Sequence, residues 1–141
     1  LLFTIYSYTA KLAVKETMPK YYFMDVGLLG LLVMDSAAAR LENLAAIELI
    51  RRYGQDNVFY FENNFEIDFY VPTANLAIQV SCKVLDDFDT KTREVNAFVR
   101  LRNFIPDAEC LLLTNSEEAE LEQNGIPIHV VPMWKWLLAG K

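Results

Sequence analysis

The chain has 141 residues, with 13 basic against 19 acidic side chains, a net charge of −6, 53% hydrophobic residues and 23% charged residues. These values fit one globular domain large enough to bury a core. They argue against a broad phosphate-binding face, whose affinity would come from clustered Lys and Arg. No apolar run approaches the roughly 20 residues that cross a bilayer, so no membrane partner is expected.

Cys82 and Cys110 sit in apolar runs without a Cys-x-x-Cys. They read as small buried hydrophobes in a reducing, cytoplasmic setting rather than as a disulfide or zinc site. The chain begins at Leu1 without a basic, then apolar, leader and without an initiator Met. It therefore reads as part of a longer protein with no signal peptide.

In chain order, residues 1–8 form a strand-like apolar run, and Pro19 to Asp25 a second extended run before Gly27. A short helix is expected over 28–34. Ser36 is placed to cap a long helix over 37–53, stopped by Gly54, with Leu41, Leu44, Ala45, Glu48 and Leu49 at helical spacing. Residues 57–62 and 65–71 flank Asn63-Asn64, a hairpin signal. Pro72 to Asn75 is a turn, and residues 76–82 a third strand. Asp89 is expected to cap a second long helix to Phe104, with Val95, Phe98 and Val99 buried. A strand over 108–114, a short acidic helix over 117–124 closed by Gly125, and a last strand over 126–131 follow. Pro132 opens a terminal helix as its first residue, with Trp134, Trp136 and Leu137 available to pack.

Helix, three meandering strands, helix and returning strand make an α/β mixed sheet flanked by helices. Alternation along 65–71 puts Glu66 and Asp68 on one face, and Gln79, Ser81 and Lys83 share a face on the next strand. An acid on one strand, then a polar-x-polar step and a lysine, outlines the metal-dependent nuclease site called PD-(D/E)XK. The core order resembles the restriction-endonuclease-like fold. Nucleases of that fold often carry an acid on the first helix facing the same cleft. Glu42 is the better match and Glu48 a second candidate.

Here the outline is altered. Gln79-Val80-Ser81 stands where Glu-x-Lys is usual, so an amide replaces the second acid and a hydroxyl replaces the lysine. Asp68 with Glu42 or Glu66 would supply hard oxygen ligands for Mg²⁺, with Gln79 a weaker, neutral ligand. A cation beside the phosphate would stabilise developing charge. Ser81 cannot do this. Lys83 is about 6.5 Å further along an extended strand and reaches back only as a displaced lysine. Arg51-Arg52, Arg93, Arg100 and Arg102 are candidates for a small basic cleft. His129 is the sole histidine and reads as structural. Tyr21, Tyr22 and Phe23, beside Lys20, could stack on a nucleotide, but their run reads first as a buried strand.

A wider resemblance rests on Leu1-Leu2-Phe3, on Pro19-Lys20-Tyr21-Tyr22-Phe23-Met24-Asp25-Val26-Gly27-Leu28, and on Leu41-Glu42-Asn43. Glu66-Ile67-Asp68-Phe69, Ile78-Gln79-Val80 and Val131-Pro132-Met133-Trp134-Lys135-Trp136-Leu137-Leu138 complete it. Together they resemble bacterial and archaeal AAA-type P-loop ATPases that end in a restriction-endonuclease-like domain of unknown function. The resemblance implies an ATPase module, with its ATP and Mg²⁺, upstream of this segment. No Gly-x-x-x-x-Gly-Lys-[Ser/Thr] occurs here, and Lys135 stands where the first glycine would precede Gly140-Lys141. Residues 1–34 are expected to connect to or dock on that module, and 35–141 to form the endonuclease-like domain. The expected role is a non-catalytic accessory domain that contacts its own ATPase module and other proteins. The alternatives are a Mg²⁺-dependent nuclease using Asp68, Glu42 and Lys83, or a nucleic-acid-binding module without cleavage.

Overall fold

A computed structural model describes residues 1–9, 18–32 and 36–140. Among them, eight strands form one mixed sheet in the order β2-β1-β3-β4-β5-β6-β8-β7. The strands are β1 (Leu2–Ser7), β2 (Lys20–Phe23), β3 (Phe59–Glu62), β4 (Glu66–Val71), β5 (Leu76–Val80), β6 (Glu109–Thr114), β7 (Ala119–Gln123) and β8 (Ile126–Pro132). The helices are α1 (Val26–Leu32), α2 (Ala37–Tyr53), α3 (Phe88–Leu101) and α4 (Met133–Ala139). None of the described helices is long and apolar enough to cross a membrane.

The expected meander is present. β3, β4 and β5 pair antiparallel in turn, and after α3 the chain returns as β6, parallel to β5. Two apolar layers sandwich the sheet. Ala45, Ala46 and Leu49 of α2 pack with Ile5, Phe69, Val71, Ile78 and Trp136 on one face. Val95, Phe98 and Leu101 of α3 pack with Ile67, Ala77, Leu112 and Ile128 on the other. β1 runs parallel to β3, and β2 folds back on β1 to form the outer edge. The expected break between residues 34 and 35 lies outside the described residues, as do the end of the 28–34 helix and Lys141.

Ser36 caps α2 as expected, its Oγ accepting the Ala39 amide, and Gly54 at φ 84° ends it. Other boundaries move. The cap of α3 is Asp87, not Asp89. Its carboxylate accepts both the amide and the hydroxyl of Thr90, which stands three residues on, where a capped amide belongs. The helix stops at Leu101, not Phe104. β5 stops at Val80, not Cys82. Pro132 ends β8 and caps α4 rather than opening it as the first helical residue.

The expected acidic helix over 117–124 is a strand instead. Asn124 and Gly125 have φ 51° and 76°, the two positive values of a tight two-residue hairpin turn. Ala119 and Leu121 turn inward while Glu118, Glu120 and Glu122 are exposed, a period of two. Cys110 is buried as expected, and burial pushes its thiol up to about 11. Cys82 is only half-buried. Trp136 is buried with Arg52 stacked on it, whereas Trp134 is exposed.

Candidate functional site

The sheet opens between β4 and β5. Their ladder runs from Val71↔Leu76 to Phe69↔Ile78. Beyond it β4 stays paired with β3 and β5 with β6, so the two strands part from one another while each keeps its outer neighbour. Side chains fill the gap. The Asp68 amide donates to Gln79 Oε1 at 2.8 Å, and Gln79 Nε2 donates to the Glu66 carbonyl at 3.0 Å. The Val80 amide donates to Asp68 Oδ2 at 2.8 Å. Asp68 and Gln79 thus replace ladder bonds that the parting strands lose, giving these backbone groups partners.

A cleft of about 540 Å³ lies at this opening. Glu42 reaches it from α2, Glu66 and Asp68 from β4, Gln79 from β5, and Arg93, Glu94 and Arg100 from α3. Four of the candidate ligands read from the sequence, Glu42, Glu66, Asp68 and Gln79, therefore line one space. Lys83 does not. It follows the end of β5, is exposed, and lines a separate groove with Leu41, Leu44, Cys82 and Asn115. Ser81 Oγ donates to the Lys83 carbonyl. Glu48 faces away from the cleft and holds Arg51 and Arg52, both at 2.6 Å. Those two arginines also donate to the Gly140 and Trp136 carbonyls and join α2 to α4.

Two participants carry only faint signals in the sequence. Glu94 is 7% exposed on the cleft side of α3. Burial pushes its carboxyl up, and its neighbour Arg93 works against that rise. The signal was a glutamate on an apolar stripe, three and four residues before Ala97 and Phe98. In the sequence Lys20 stands within an extended run. Its ammonium bonds the Glu66 carboxylate and lies 3.9 Å from Glu42 Oε1. Tyr22, two residues on and so on the same face, donates its hydroxyl to Glu42 Oε1 at 2.8 Å. A lysine alternating into an apolar strand run was the visible clue.

The acids crowd one another. Burial, with the Glu42 charge beside it, pushes the Asp68 carboxyl up to about 8. Burial works against the charge on Lys20. The surrounding carboxylates of Glu66, Glu42 and Asp68 outweigh it and hold the ammonium above its usual value.

The donor set does not fit the Mg²⁺ that a PD-(D/E)XK outline implies. Gln79 has both polar atoms committed to backbone groups, Asp68 spends one oxygen on Val80, and Lys20 sits between Glu42 and Glu66. Among the described residues, no group of three or more His, Cys, Asp or Glu is placed to hold a metal ion. Arg93 is paired with Glu94, and Arg100 donates to the Asn64 carbonyl while stacking on Phe65. The cleft is acidic with its cations engaged, not a basic channel. No family model, curated protein or solved structure matches this chain.

Proposed function

We propose that this chain is a restriction-endonuclease-like domain without cleavage activity, acting through protein contacts as the C-terminal accessory part of an AAA-type ATP-binding protein. The endonuclease-like reading draws support from the order α2, β3-β4-β5 meander, α3 and parallel β6, with Glu42, Asp68 and Gln79 around one opening in the sheet. The ATPase context rests on the sequence resemblance. ATP and its Mg²⁺ belong to that module, not to these residues.

One observation carries the non-catalytic reading. Gln79 stands at the second ligand position with both ends of its amide bound to the β4 backbone. A side chain held this way supplies neither negative charge nor a spare oxygen to a metal, and Ser81 beside it brings no cation to a phosphate.

The purified domain, incubated with Mg²⁺ or Mn²⁺ and either duplex or single-stranded DNA, is expected to show no cleavage that Asp68→Ala abolishes. Cleavage lost in that variant would establish the alternative, a Mg²⁺-dependent nuclease. That alternative draws on Glu42 and Asp68 sharing a cleft with Arg93 and Arg100. The accessory role predicts that the separately expressed P-loop module and this domain co-elute on size exclusion. Independent elution at micromolar concentration would count against it.

A further inference from the structure

We propose that Lys20 is a built-in counter-cation, whose ammonium takes the place of a divalent ion between Glu42 and Glu66 and closes the acidic cleft to metal. The inference deepens the non-catalytic reading and rests on it for its meaning. Its geometry and its test stand apart from cleavage.

The seat of Lys20 is constructed. Among the described residues β2 is an edge strand, paired in the sheet with β1 alone, yet its outer side is not left to water alone. The buried side-chain amide of Asn43 on α2 brackets Phe23, accepting its N–H and donating to its carbonyl, both at 2.8 Å. Tyr60 donates its hydroxyl to the Met18 carbonyl at 2.8 Å, just before the strand begins. These contacts come from α2, which also brings Glu42 to the cleft, and from β3, the neighbour of β4. They fix the position of β2, and alternation then sends Lys20 and Tyr22 to the same side. The Lys20 ammonium lies 5.2 Å from the centre of the Tyr60 ring, within range of a cation–π attraction.

The charge pattern points the same way. Glu42, Glu66, Asp68 and Glu94 bring four carboxyl groups to one opening. Arg93 answers Glu94. Lys20 is the cation that reaches both Glu42 and Glu66. An ammonium suits the task, being a compact point charge with three donors. Mg²⁺ gives up its water reluctantly, whereas a tethered lysine competes at a high effective concentration. The substitution also has a chemical consequence. An ammonium offers no open coordination site at which water is acidified or a phosphate oxygen polarised.

Lys20→Met keeps most of the stem and removes the charge. Mn²⁺ binding, read by the paramagnetic resonance of the free ion, and melting temperature in Mg²⁺ or Mn²⁺ at constant ionic strength give two readouts without nucleic acid. The parent is expected to bind Mn²⁺ weakly and to melt at the same temperature with or without metal. Lys20→Met is expected to bind one Mn²⁺ at least about ten-fold tighter and to gain metal-dependent stability. Lys20→Met combined with Glu66→Gln should lose most of that gain, since Glu66 is one of the two carboxylates the ammonium bridges. Refolding of an unfolded Lys20→Met chain by Mn²⁺ would also support the proposal. Tight Mn²⁺ binding by the parent, a folded Lys20→Met that binds no better, or an unfolded one that metal does not rescue would each overturn it. Those results would leave the absence of cleavage standing. Cleavage by the parent would overturn the proposed function, whatever Lys20→Met binds.

Discussion

Gln79→Glu would remove a donor without changing side-chain length. The new carboxylate can still accept the Asp68 amide, but it cannot donate to the Glu66 carbonyl, which Gln79 Nε2 now satisfies at 3.0 Å. Leaving this half-buried acceptor unpaired costs up to about 1–3 kcal/mol. The variant is therefore expected to be less stable by that amount in urea at neutral pH. The deficit should shrink in acid, where the introduced carboxyl takes up a proton and regains a donor. Equal stability at pH 7 would mean that the amide clamp is dispensable.

Asp68→Asn is expected to act in the opposite direction. The Asp68 carboxyl is pushed up to about 8 by burial and by the Glu42 charge, while in an unfolded chain it ionises near pH 4. Between about pH 4 and 8 the folded state keeps a proton that the unfolded state releases, so stability from this group falls as pH rises through that window. Asn keeps an oxygen for the Val80 amide and never ionises. It is expected to match the parent near pH 4 and to be more stable by roughly 2 kcal/mol at pH 8, a discounted fraction of the full shift because the site is partly solvated. A constant difference across urea titrations at pH 4, 6 and 8 would refute this.

At the level of elements, the helices with clear signals were readable in the sequence. Ser36 and Gly54 bracket α2, and the Val95 and Phe98 stripe marks α3. Phe98→Ala is expected to cost about 3–5 kcal/mol, since the ring is fully buried under the sheet. A cost below about 1 kcal/mol would mean that the α3 face is loosely packed. What was less legible depended on partners distant in sequence. Glu48 and Glu42 lie on one helix, and periodicity alone does not tell which faces the cleft. The arginines at 51 and 52 claim Glu48, and β2 claims Glu42. β5 leaves β4 at Ile78 and runs on to Val80 against β6, so partners distant in sequence, not local propensity, decide where each pairing ends. Asn124-Gly125 is a hairpin signal, but the glutamates before it also suit a helix, and pairing with β8 decides between the two.

Across the whole molecule, the sheet is unevenly bonded. β1 joins β3 through two paired positions, whereas β6 shares five with β5 and five with β8. The β1–β2 pair therefore relies on side-chain ties from Asn43, Tyr22 and Lys20 as well as on its ladder. Native-state hydrogen exchange is expected to show β1 and β2 opening at lower free energy than β5, β6 and β8. Amides at Phe3 and Tyr22 protected as strongly as those at Ile78 and Leu112 would contradict this.

The clamp at Gln79 also bears on how such a domain can evolve. One substitution turns glutamine into glutamate, yet the product has an orphaned Glu66 carbonyl and a further negative charge among acids already crowded. Lys20 would still stand where an incoming ion would have to settle. Native proteins survive on margins of about 5–15 kcal/mol, so a chain carrying that single change crosses a stability valley before any ligand set is complete. Metal chemistry at this cleft would need at least two coordinated replacements, at Gln79 and at Lys20. Drift through single steps is thus biased toward keeping the present state.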